Sequence, residues 1–359
     1  MARVAVLVGG RSNERDVSLA TGLAVARALA GLGWDLRVLD TGRPELPALP
    51  LDDFVALPSG PAAALPEPAA FTRALVASAP GGATGWRPDL VFNALHGGVG
   101  EDGTLQGVLD WLGVPYTGCG LAASALAMDK WRSKMIFRDG GLAVPAGYRV
   151  RVPAERVPDP GYVDELAHRV EADPGWPAVI KPNREGSSVG LAVLADREEA
   201  SLKLPRVIRV SDDLLVEEYI PGRELTVSLL GGKALPAVEI VPESGLYDYA
   251  HKYTKGQTRY LCPAPVDEAL AARLATDALR AWELLGCRHL ARVDFRLAAD
   301  GTPYCLELNT IPGMTETSLF PMAAAAAGLD FPALVAEIAR LALADAAASV
   351  PPNEAGDGV

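Results

Sequence analysis

A chain of 359 residues is too long for one ordinary domain and calls for two or three. With 49% apolar residues it can fill sizeable cores and lies far from the disordered range. A formal net charge of -12 argues against nucleic acid as a partner, which needs a basic footprint, but leaves small anionic ligands open because they respond to local charge.

The N-terminus has five apolar residues at 4–8 before Gly9-Gly10, shorter than the ~7–15 of a signal-peptide core. No stretch reaches the ~20 apolar residues of a membrane span. Cys119, Cys262, Cys287 and Cys305 form no C-x-x-C pair, so buried free thiols in a reducing compartment are expected. A cytoplasmic protein with no membrane contact is the resulting expectation.

In chain order, VAVLV (4–8) suits a strand buried on both faces of a parallel sheet, and 17–33 follows with helical periodicity and a Gly stop. Strands are expected at 35–40 and 88–95, then the loop HGGVGEDG and a helix starting at Thr104. Strand–helix–strand alternation implies a parallel, right-handed α/β layer. The Pro/Ala-rich stretch 43–70 reads as a surface excursion. One helix is expected over 121–140. Short strands at 145–150, 176–182, 191–194, 213–220, 224–230 and 234–240, separated by turns, suggest antiparallel sheet. Amphipathic helices are expected at 267–286 and 331–348, before a polar tail. The domains implied are an α/β unit over 1–118 and two α+β units over 119–216 and 217–345, with 346–359 as tail.

The stretch CLELNTIPGM (305–314) alternates so that Glu307 and Asn309 share one face of a strand. Upstream, LARVDFRL (290–297) places Arg292, Asp294 and Arg296 on one face. If Asp300-Gly301 is the two-residue hairpin turn between them, Asp294 lies opposite Glu307 and Arg292 opposite Asn309. Two directly opposed carboxylates must share a proton or a cation. With Asn309 as a third oxygen, the set suits Mg²⁺ arriving with a phosphate-bearing substrate. A solvated face neutralised by Arg292 and Arg296 is an equal alternative on the hairpin alone.

A phosphate binder is found at VIKPNREGSSVG (179–190), where a strand ends at Lys181 and a small-residue loop with Ser187 and Ser188 follows. It is not a Walker A loop. The formal G-x-G-x-x-G at 98–103 lacks an acidic residue closing a second strand, which argues against NAD. Glu14 and His96 follow strands where α/β ligand sites gather, and Lys252 and Tyr253 sit in a long loop of the kind that forms lids.

Together GGRSNERDVS, ALHGGVGEDGTLQG, PYTGCGLAASALAMDKWRSK, KPNREGSSVG, EEYIPGRELTV, YDYAHKYTKGQTRYLCPA, ARVDF and ELNTIPGMTETSLFP resemble, in order, the D-alanine–D-alanine ligases of the ATP-grasp superfamily. The resemblance runs from about residue 4 to 340. It implies two Mg²⁺ (or Mn²⁺) on Asp294, Glu307 and Asn309, nucleotide phosphates on Lys130, Lys181 and Ser188, adenine at Glu217 and Ile220, and ribose at Glu224. Lys252 would reach the γ-phosphate. Glu14, Ser187 and Tyr253 would hold the first D-alanine and its covering loop, His96 would line the substrate pocket, and Ser318 and Leu319 would take the second D-alanine's carboxylate. Arg292 and the Gly313 amide would meet a developing oxyanion. ATP as substrate, an acyl-phosphate intermediate and a homodimer are also implied, with D-serine or D-lactate as the alternative second substrate.

Overall fold

The computed structural model describes residues 2–43, 48–55, 86–156, 159–186, 189–242, 258–315 and 318–348. Ser187, Ser188, Lys252, Tyr253, most of the Pro/Ala-rich stretch and the tail lie outside them.

The first unit runs β1 (Arg3–Val8), α1 (Arg15–Gly31), β2 (Asp35–Asp40), α2 (Leu51–Val55), β3 (Leu90–Asn93) and α3 (Thr104–Trp111). The sheet is parallel in the order β2-β1-β3. One face packs Val4, Val6, Val8 and Phe92 on Val25 and Leu29 of α1, while Ala5, Leu7 and Val91 meet Leu105 and Leu109 of α3. Burial on both faces is why these strands are apolar without alternation. The strand expected over 88–95 stops at Asn93, whose side chain donates to Gly100 O and accepts from the Leu95 amide, turning the chain outward so that His96 leaves the strand end.

The helix expected over 121–140 is two helices, α4 (Leu121–Met128) and α5 (Lys130–Asp139). Asp129 breaks it with an extended backbone (φ -86°, ψ 90°), because its carboxylate caps α5 at the Arg132 amide and accepts from Asn183 at 2.9 Å and Arg184 at 3.0 Å.

Next come β4 (Gly147–Arg151), α6 (Pro160–Ala172), β5 (Ala178–Pro182), β6 (Ala192–Leu194), α7 (Arg197–Val210) and β7 (Asp213–Glu218), giving an antiparallel sheet in the order β4-β7-β5-β6. Helices α6 and α7, unread in the sequence, cover it through Leu166, Val170, Leu204 and Val207. Gly147 pairs with Glu217 so closely that an added Cβ would lie 2.1 Å from Val216 O. Gly147→Ala is therefore expected to cost about 3 kcal/mol by forcing β4 off β7, read as a lowered thermal midpoint in calorimetry.

The last unit runs β8 (Gly222–Leu230), β9 (Lys233–Ala234), β10 (Val238–Pro242), β11 (Thr258–Leu261), α8 (Glu268–Leu285), β12 (Leu290–Ala298), β13 (Pro303–Asn309), α9 (Leu319–Ala326) and α10 (Phe331–Ala348). Its antiparallel sheet orders β11-β10-β8-β12-β13. Asp267 caps α8 at the Leu270 amide, and Gly286 ends it at φ +68°. Leu274, Ala278 and Trp282 of α8 pack on Leu225, Val227, Val293 and Phe295, and so do Ala127 and Phe137 of α4 and α5. These two helices thus share a core with the last sheet while β4 to β7 form their own. Val335 and Ile338 of α10 close the first unit's core.

Among the described residues no single helix is long and apolar enough to cross a membrane; α9 and α10 pass such a test together only across a 101° bend, and Phe320, Ala324 and Val335 are spent in the core. All four cysteines are free thiols, but only Cys119 and Cys305 are buried; Cys262 and Cys287 are half-buried.

Candidate active site

The hairpin of β12 and β13 pairs Asp294 with Glu307 and Arg292 with Asn309, the register expected from the sequence. It reaches that register by a different route. The turn is not the two residues Asp300-Gly301: Ala298 pairs with Thr302, leaving a three-residue loop that ends at Gly301 with φ +84°. A bulge between Asp294 and Phe295 then takes up one residue of β13, so that Phe295 faces Cys305 and Leu306 is the extra one. The expected faces shift accordingly. Cys305 points into the core, and Leu306 joins Glu307 and Asn309 on the open side.

That open side is one wall of a cleft of about 500 Å³ between the three sheets. Glu14, His96, Lys130 and Lys181 line it, as do Glu217, Ile220 and Glu224, and Arg292, Asp294, Glu307, Asn309, Gly313, Ser318 and Leu319. The structure therefore brings together every sequence-singled residue that it describes, although their roles rest on chemistry.

Asp294 is nearly buried and fully engaged. Arg292 forks it through Nε and Nη2 at 2.8 Å each, Thr226 Oγ1 donates at 2.6 Å, and Asn309 Nδ2 donates at 3.1 Å. Glu307 has Lys130 Nζ 3.4 Å away, and Lys130 also donates to Glu185 O at 2.7 Å. One acid is thus matched by an arginine and the other by a lysine, a charge pattern a divalent ion could replace.

Deeper in, Glu217 lies between Lys181, 2.9 Å away, and Lys134. Burial opposes ionisation of Glu217, but the two ammonium groups outweigh it and hold its carboxyl below the usual range. At the mouth, Arg296 donates to Ile220 O at 3.1 Å, lies 3.4 Å from Glu224 and stacks over the Tyr219 ring. His96 Nε2 is 3.1 Å from Thr21 Oγ1, with Glu101 3.5 Å from its Nδ1, and Ser12 Oγ donates to His96 O. Glu14 fills space that only glycines leave: a Cβ on Gly186 would sit 2.6 Å from its Oε2. Ser318 precedes α9 and its hydroxyl accepts from the Thr315 amide at 3.0 Å.

The family model described as "D-ala D-ala ligase C-terminus" matches residues 137–340, and that described as "D-ala D-ala ligase N-terminus" matches 67–119. D-alanine–D-alanine ligases from Anaeromyxobacter sp. and Syntrophotalea carbinolica are 44% and 40% identical over 336 residues, covering 94% of this chain and 95% and 94% of theirs. This chain belongs to the D-alanine–D-alanine ligase family. Among solved structures, the D-alanine–D-alanine ligase of Bacillus anthracis complexed with ATP superposes with a TM-score of 0.72 at 28% identity, covering 98% of this chain and all of that one. The VanG D-Ala:D-Ser ligase from Enterococcus faecalis gives 0.75 at 29% identity, with 95% and 99% covered.

Behind the walls of the ligase cleft lie buried groups that sequence reading passed over. Thr226 carries no motif, yet it faces Asp294 across the β8–β12 ladder. Lys134 lies one helical turn beyond Lys130 on α5, a spacing that puts both on one face and was legible. The Asp129–Asn183–Asp213 network had no local signal, because its members come from three separate elements. It anchors the start of α5, where Lys130 stands. Burial works against ionisation of Asp129 and Asp213, but hydrogen bonds from Asn183, with Arg184 on the first and Arg149 on the second, outweigh it and lower both carboxyl groups. Depressed carboxylates add stability that is complete above their unfolded value of about 4 and is lost as pH falls through the folded ones. Asp129→Asn is expected to cost about 2 kcal/mol at pH 7, with its gap in melting temperature to the native chain closing below about pH 4; melts across pH 3 to 7 check this.

Proposed function

We propose that this chain joins two D-alanine molecules into D-alanyl-D-alanine while splitting ATP into ADP and phosphate, a step of peptidoglycan precursor synthesis. The two antiparallel sheets would grip the nucleotide in the ATP-grasp manner. The observation that carries this reading is the convergence of two lysines, two opposed carboxylates and an arginine on one cleft.

Phosphoryl transfer asks mainly for positioning and positive charge. Lys130 from α5 and Lys181 from β5 would supply that charge to the phosphates, while the Glu217–Ile220 backbone would meet the adenine and Glu224, braced by Arg296, the ribose. Asp294, Glu307 and Asn309 fit Mg²⁺ or Mn²⁺: they present hard oxygens from two rigid strands, and among the described residues no third His, Cys, Asp or Glu completes a cage, as suits an ion that shares phosphate and water oxygens. When bound there, two such ions would neutralise charge accumulating on the transferred phosphoryl group.

The first D-alanine's carboxylate would receive the phosphoryl group while Glu14 holds its ammonium and His96 borders its pocket. The second would lay its carboxylate at Ser318 and Leu319, where α9 begins without a side-chain cap and presents the Leu319 and Phe320 amides. Its amine would attack the acyl phosphate, and the tetrahedral oxyanion would be met by Arg292 and the Gly313 amide. Ser187, Ser188, Lys252 and Tyr253, outside the described residues, would complete the phosphate loop and the cover over the acyl phosphate. A cytoplasmic homodimer is part of the same proposal, by analogy with the family.

The test is phosphate release from ATP and Mg²⁺ with D-alanine, D-serine, D-lactate or no acceptor. Release that depends on D-alanine and yields the dipeptide is expected. Release indifferent to D-alanine, or favouring another acceptor, would overturn the reading.

A further inference from the structure

Lys134 is buried and does not line the cleft, whereas its partners Glu217 and Lys181 do. The carboxylate is thus sandwiched between a lysine at the cleft wall and a second lysine behind it. A buried ion pair is poor value for stability alone, since an apolar residue of similar volume does as well or better. Three charged groups in a dry pocket therefore call for a reason beyond folding.

Charge accounting supplies one. With both lysines protonated the trio carries one net positive charge; without Lys134, Glu217 would cancel Lys181 and leave none. We propose that Lys134 is a positioning residue that takes up the charge of Glu217, so that Lys181 keeps its own for the phosphates of the nucleotide. This deepens the proposed function and rests on Lys181 facing those phosphates.

The neighbourhood is consistent with a charged Lys134. Burial pushes it down and Glu217 pulls it back, leaving it at about 8, so it still holds its proton at neutral pH; the groups facing it are Glu217 on β7, Lys181 on β5 and the buried Cys305 thiol on β13. Its helix is held independently, by the Asp129 cap and by Phe137 in the core, so loss of the ammonium need not move Lys130.

Titration calorimetry with a non-hydrolysable ATP analogue and with adenosine separates phosphate binding from base and ribose binding. Lys134→Met is expected to weaken the triphosphate about tenfold while changing adenosine less than about twofold. The double variant Lys134→Met/Glu217→Gln restores the net charge and should recover most of that loss. Glu217→Gln alone raises the charge and should increase the preference for triphosphate over adenosine above the native value, which keeps the test alive if Lys134→Met fails to fold. Equal losses for both ligands, no recovery in the double variant, or no gained preference in Glu217→Gln would overturn the proposal. Lys181→Met is the separate control: if it leaves the preference for triphosphate unchanged, the assignment of Lys181 fails, rather than the link from Lys134.

Discussion

Glu307→Gln is expected to lower kcat about a thousandfold, the several kcal/mol that a bound cation contributes to transition-state charge, while the chain melts near its native temperature. The carboxylate stands in the cleft beside Lys130 rather than in the core beneath, where Cys305 and Leu308 pack. Gln keeps the shape and one oxygen but removes the charge that pairs with Asp294 across the ladder. Steady-state kinetics with ATP, Mg²⁺ and D-alanine, beside a thermal melt, make the comparison. Near-native turnover would remove Glu307 from the ion site.

Arg292→Met is expected to be as damaging to turnover and also to harm the fold. Two distinct losses combine. A donor to the oxyanion disappears, worth about a hundredfold to a thousandfold in kcat. Asp294, almost buried, keeps among the described residues only Thr226 and Asn309 as partners, and breaking a buried ion pair costs about 3–5 kcal/mol. Arg292→Lys separates the two losses. A lysine retains the charge that Asp294 needs but not the planar fork, so stability should return further than activity does. If Lys restored both fully, the guanidinium geometry would have no part in catalysis.

The strand pairing at the heart of the site was legible because alternation and an Asp-Gly turn constrain a hairpin strongly. Two offsetting irregularities still escaped. The loop is one residue longer than Asp300-Gly301 suggests, and a bulge at Leu306 cancels the slip before Glu307. A bulge without glycine leaves no mark in sequence, so Cys305 and Leu306 were assigned to each other's faces. The break at Asp129 was illegible for a similar reason: Asn183, which rewards it, lies 54 residues away. Helix α7 escaped because Pro205 interrupts it, whereas α6 carried a start signal, Asp159 as cap and Pro160 at the first helical position, that was passed over. Lys134 shows the opposite case. Its helical spacing from Lys130 was plain, but its use depends on Glu217, 83 residues distant.

The central claim is that Asp294 and Glu307 jointly hold a divalent ion that carries the nucleotide phosphates. Its most direct measurement is the anomalous scattering of Mn²⁺ in crystals grown with a non-hydrolysable ATP analogue. Manganese peaks are expected within coordination distance of oxygens from Asp294, Glu307 and Asn309 and of the phosphates. A nucleotide whose phosphates and manganese lie away from both carboxylates would contradict it.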